Sequence, residues 1–218
     1  MRCNKDLRWA LGFRMTFSTR ALQDRFKAVA LLALVCVYSG CATVQKPAAD
    51  VAEVQDIEAE KVKTQQAFAA IVQIHKNGDI DDAKQGYEAF LERFPNNTAA
   101  RINLSHIALQ AEQYDQAGAY ILEALQIDPK EPQALMLAGL IAREKGDFDG
   151  AESYYRQALS VNPDYIPAIR NLAILLDLYR GRLQEALELY ERAQALETVP
   201  DPKLKDWIFD IKRRIGEP

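Results

Sequence analysis

Beyond Lys63 the apolar and polar positions of the chain repeat themselves. Small residues recur at Ala83, Ala117, Ala151 and Ala186; aromatic or aliphatic ones at Tyr87, Ile121, Tyr155 and Tyr190; and prolines at Pro95, Pro129, Pro163 and Pro200. The first two series step by 34, 34 and 35 residues and the prolines by 34, 34 and 37. The third copy shows the pattern best, "QALMLAGLIAREKGDFDGAESYYRQALSVNP". There Ala138-Gly139 is a small site where a second helix packs closely on the first, and Gly146-Asp147 makes the turn. Ala151 and Ala158 let neighbouring helices approach, Tyr155 fills the remaining space, and Pro163 stops the second helix. The pattern predicts stacked helical hairpins.

A period of this length and content resembles the tetratricopeptide repeat, a helix-turn-helix unit. The resemblance implies an all-α superhelix, an α-solenoid, with repeats at residues 64–97, 98–131, 132–165 and 166–200. The first copy departs from the pattern, with Ile71 where a small residue is usual and Phe90 where alanine is. The fourth holds one extra residue before Gly181, which predicts a longer turn. Asp201-Pro202 then reads as a cap and first turn, and Leu204, Trp207, Ile208, Ile211 and Ile215 follow at helical spacing. Residues 201–218 are thus expected to form a capping helix over the last repeat, with Lys205, Lys212, Arg213 and Arg214 facing water.

The N-terminal segment has a different pattern. The apolar run from Ala28 to Tyr38 is about eleven residues long, well short of the roughly twenty that a membrane-spanning helix needs. Arg20, Arg25 and Lys27 precede it and Ser39-Gly40 follow, the layout of an export signal over residues 1–40. Met15 would give that signal a start of conventional length. With Cys41 next, the segment resembles a bacterial lipoprotein signal, in which the cysteine thiol receives a diacylglyceryl group; Tyr38 departs from the aliphatic residue usual in that family. The alternative is ordinary cleavage and a soluble periplasmic protein. Residues 41–63 read as a tether followed by either a leading helix or a loose segment, with only a ragged stripe of Val51, Val54, Ile57 and Val62.

Composition narrows the function. Of 27 Lys+Arg and 31 Asp+Glu, seven and two lie ahead of Cys41, leaving 20 and 29 and a net charge of −9. Such a chain repels nucleic acid. Cys3 and Cys36 also precede the expected cleavage, so Cys41 is the sole mature thiol and forms no internal disulfide. The two histidines, His75 and His106, lie 31 residues apart, outside any metal-ligand spacing. Asp79, Asp81 and Asp82 favour a helix start, and the segment around them lacks the glycine and glutamate placement of a calcium loop. No phosphate loop or nucleophile elbow is present. His106 with Asp177 is the one candidate acid/base pair. The expectation is a protein that is not an enzyme, with no cofactor and no small-molecule substrate.

In the resembled family the first helices of successive repeats line a groove that holds a peptide or helix. Carried over, the fifth place of each repeat gives Phe68, Ile102, Met136 and Arg170, and the ninth gives Val72, His106, Leu140 and Ile174. The sixth gives Ala69, Asn103, Leu137 and Asn171, and the twelfth His75, Leu109, Arg143 and Asp177. Asn103 and Asn171 are placed to bond a ligand backbone, and Arg143 or Arg170 to meet a carboxylate, unless these side chains pair within the scaffold. Only fragments remain of the set with which some members clamp a terminal carboxylate. The groove is therefore expected to hold a largely apolar segment.

These features imply a lipid-anchored, periplasm-facing adaptor of the bacterial outer membrane. Ala42 after the cysteine, by resemblance to lipoproteins of double-membraned bacteria, favours that membrane. The implied partner is a protein or peptide of an envelope complex, as in pilus-secretin assembly or energy-transducing machinery. A module that regulates a cell-wall synthase or hydrolase is the rival reading.

Overall fold

A computed structural model describes residues 48–216, with side chains from Val54 onward. The expected export signal, Cys41 and the expected tether up to Pro47 lie outside the described residues. Within them every regular element is helical: α1 (Ala48–Asn77), α2 (Ile80–Arg93), α3 (Thr98–Gln110), α4 (Tyr114–Ile127), α5 (Pro132–Glu144), α6 (Phe148–Val161), α7 (Ile166–Leu178), α8 (Leu183–Leu196) and α9 (Pro202–Ile215). The chain divides into two units, Met1–Glu58 and Ala59–Pro218. Of the first, the described residues belong to the opening of α1, and the side chains from Val54 to Glu58 are exposed. No helix boundary separates the leading segment from the first repeat, since α1 runs unbroken from Ala48 to Asn77. The rest of the description concerns the second unit.

Local chemistry sets the helix ends. The side chains of Asn97, Glu131, Asp147 and Asp201 cap α3, α5, α6 and α9 by accepting from backbone N–H groups of Ala100, Gln133, Gly150 and Lys203. Pro132 and Pro202 occupy first helical turns, where a missing N–H costs nothing. Each hairpin turn contains one left-handed residue: Gly78, Glu112, Gly146 and Gly181, with φ of 93°, 56°, 81° and 65°. Three are glycine, which adopts that conformation without penalty. The fourth turn spans residues 179–182 and carries the extra residue.

Inside each hairpin the sequence period becomes packing. Ala83, Ala117, Ala151 and Ala186, with Tyr87, Ile121, Tyr155 and Tyr190, are at most 1% exposed. A Cβ on Gly139 would lie 2.5 Å from the Tyr155 ring, so the small residue is what admits the large one. The first hairpin solves the same problem in reverse. Ile71 takes the small-residue place, and its Cγ2 stands 3.0 Å from where a Cβ on Gly86 would be. Phe90 there joins an aromatic group, with ring centroids 5.2 Å from Phe68 and 4.7 Å from Phe94.

Two buried clusters result. The larger runs from Ile102 through α9 to Ile211, and the smaller joins the first hairpin to Ala100, Leu104 and Ile107 of α3. Leu204, Ile208 and Ile211 of α9 are buried on α8, and Trp207 packs 5.6 Å from Tyr190. One expected solvent-facing cation is otherwise engaged: Arg214 of α9 donates to the buried carboxylate of Asp177 at 2.6 Å.

Candidate functional site

The first helices α1, α3, α5 and α7 carry the residues assigned to the groove. Side-chain bonds tie neighbouring first helices together: His106 Nε2 lies 3.3 Å from Gln133 Nε2, and Arg143 Nη1 donates to Asn171 Oδ1 at 3.3 Å. The Asn171 amide nitrogen also reaches the Met136 sulfur at 3.8 Å and the Pro167 carbonyl at 2.8 Å.

The ten assigned residues fall into three groups. Ile102 and Met136 are only 4% and 8% exposed and belong to the core, so they support the face rather than present a surface. Phe68, Leu140 and Ile174 are half-buried and offer apolar area, with Val72 and Leu109 beside them in the pattern. The polar residues are mostly engaged by the protein itself.

Arg170 holds Glu197 at 3.1 Å and Asp201 at 2.7 Å, and its guanidinium lies 5.9 Å from the Trp207 ring centre. Of the two open readings for this residue, pairing within the scaffold is the one the structure contains. Asn171 is likewise spent on Arg143 and Pro167. Arg143 divides its guanidinium between Asn171 and Glu144, while its Nε is buried without a partner. Asn103 is half-buried, and no hydrogen bond engages its side chain among the described residues. The face is therefore open over α1, α3 and α5 and closed by ion pairs where α7 meets α9.

The candidate acid/base pair does not come together as one. Asp177 is bound to Arg214, and His106 faces Gln133. Burial holds His106 below the ordinary histidine range, with the charge of His75 adding in the same direction. Among the described residues no group of three or more His, Cys, Asp or Glu is arranged to hold a metal ion. Sequence reasoning missed Glu197 and Asp201 as determinants of the face. Their signal was Arg170 itself, a cation at a place that is apolar in the other three repeats.

A family model described as tetratricopeptide repeat matches residues 75–141 and 142–203, more than half of the chain. Among curated proteins, the Protein CTR9 homolog of Arabidopsis thaliana is 27% identical over 52% of this chain and 11% of that protein. Protein O-mannosyl-transferase TMTC1 of Homo sapiens is 36% identical over 46% of this chain and 12% of that protein. The chain thus spans only about a tenth of these relatives. Among solved structures, a thermophilic TPR protein of Thermus thermophilus superposes with a TM-score of 0.58 at 21% identity, covering 70% of this chain and 83% of that one. The first TPR of Spaghetti (RPAP3), bound to an HSP90 peptide, gives 0.51 at 19% identity, covering 55% of this chain and 94% of that one.

Proposed function

Because the chain belongs to the tetratricopeptide repeat family, we propose that it is a non-enzymatic binding module whose first-helix face holds an apolar peptide or helix of a partner protein. The observation that carries this is the pairing of a half-buried apolar surface (Phe68, Leu140, Ile174) with the uncommitted amide of Asn103. Apolar area supplies affinity, and one amide fixes the register of a bound backbone. The peptide held by the structurally similar Spaghetti domain supports the reading. The transferase named among the relatives aligns over 12% of its length, too small a share for its activity to be carried over to this chain.

The same proposal places the module at the outer membrane, facing the periplasm and anchored through a lipid on Cys41, where it serves an envelope complex such as pilus-secretin or energy-transducing machinery. Two or more acyl chains suffice for stable anchoring. Labelling with a radioactive fatty acid should mark the wild-type chain and not a Cys41→Ala variant; equal labelling rejects the anchor.

A photoreactive residue at Leu140 should crosslink a partner in intact envelopes, and one at Gln126, exposed on α4, should not. Equal crosslinking from both places would remove the groove as the binding surface.

A further inference from the structure

Four residues occupy the ninth place of successive first helices. Three of them, Val72, Leu140 and Ile174, are aliphatic, and the fourth is His106. All four are half-buried, so each leaves part of its side chain on the groove face. A ring that can gain a proton therefore stands in a row that is otherwise aliphatic.

The polar contact of that ring fits its neutral form. His106 Nε2 lies 3.3 Å from Gln133 Nε2 on α5. An amide nitrogen only donates, so the imidazole Nε2 accepts and the ring's own hydrogen sits on Nδ1. A proton added at Nε2 would set two donors face to face. Turning the amide over would restore a hydrogen bond, but the charge would stay on the face.

Among the described residues no carboxylate acts on His106 to take up that charge. On α5 the ring meets the neutral Gln133 amide, and on α1 it feels His75, whose Nδ1 lies 3.4 Å from the Tyr87 hydroxyl of α2. His75 is the one ionisable group whose charge acts on the ring, and its sign is the same; α2 and α4, both packed on α3, bring none. Burial and the second histidine thus both oppose protonation.

We propose that the groove is proton-gated: an apolar segment is held while His106 is neutral and released when the ring takes up a proton. The inference rests on the peptide reading of this face and adds its regulation. A segment lying over the face cuts the ring off from water, so it seats against the uncharged form. By reciprocity, what the proton does to the ligand the ligand does to the proton. The folded pKa of His106 lies below the ordinary histidine value, which is about 6.5. Affinity is full above that folded pKa and falls about tenfold for each pH unit beneath it. His75 sets the threshold, because its charge keeps His106 neutral to a lower pH.

The test uses the full chain with a photoreactive residue at Leu140, in envelopes opened with mild detergent and buffered in steps from about pH 8 to about pH 4.5. Partner capture should fall at least about threefold across that range. His75→Asn should move the midpoint of the fall to higher pH. His106→Gln, which cannot take up a proton there, should remove the fall, whereas a pH response of the partner itself would survive the substitution. Circular dichroism that stays helical throughout keeps release distinct from unfolding. Capture equal at both ends, the same fall in His106→Gln, an unmoved midpoint in His75→Asn, or a helix signal lost over the same range overturns the proposal and leaves the peptide reading standing. No crosslink at any pH removes the peptide reading and this inference together.

Discussion

Glu112 is the one residue other than glycine with positive φ among those described, at 56°. The left-handed conformation costs an L-residue about 1–2 kcal/mol, and glycine gives back part of that through its freer unfolded chain. Glu112→Gly should therefore raise stability by about 0.5 kcal/mol in urea denaturation, and Gly146→Ala should lower it. Ser105 is a second local conflict: its hydroxyl is fully buried with no hydrogen-bond partner. An unpaired buried hydroxyl costs about 1–3 kcal/mol, so Ser105→Ala should stabilise by about 1 kcal/mol, read from the same unfolding curves. His106 supplies a pH dependence. Its folded pKa is lowered by burial and then by His75, so its contribution is complete above the unfolded value of about 6.5 and is lost as pH falls through the lower folded value. In an NMR titration, His75→Asn should move the His106 midpoint upward.

At the scale of the helix, the close approach of α5 and α6 at Gly139 makes a sharp prediction. Gly139→Ala puts a methyl into the Tyr155 ring and should cost about 1–3 kcal/mol in chemical denaturation, although alanine is the better helix former. The stacked helical hairpins were legible from sequence because the small-residue, aromatic and proline places all repeat. The Ile71–Gly86 exchange was half legible: the oversized residue stood out, but its compensating glycine fits no repeated position. The scaffold pairs of Arg170 and Asp177 were not legible, because their partners, Glu197, Asp201 and Arg214, come from the end of α8 and from α9. Such pairings across 27 to 37 residues leave no mark in a 34-residue period. Arg214→Ala strands the Asp177 carboxylate and should speed hydrogen exchange in α9 ahead of α5 and α6.

Across the second unit the buried clusters are unequal. The larger binds three hairpins and α9 together, whereas the smaller holds the first hairpin to one face of α3. At the last junction Glu152 also gathers Arg156, Arg180 and Arg182. Burial pushes its carboxyl pKa up, but Arg156 and Arg182 outweigh it and hold it low. In a repeat array each unit is stabilised mainly by its neighbours, so α1 and α2 should open first. Native-state hydrogen exchange in low denaturant would show their amides released before those of α5 to α8; simultaneous release would mean a single cooperative unit.

The anchoring of α9 has a consequence for growth of the array. Its apolar side is committed to α8 and its Arg214 to Asp177, so a hairpin grafted after Ile215 would find no seat. New modules have to be spliced internally, for example between Tyr165 and Ile166, where both flanking surfaces already expect a hairpin of standard shape. Duplication in the middle would lengthen the scaffold and leave its terminus sealed.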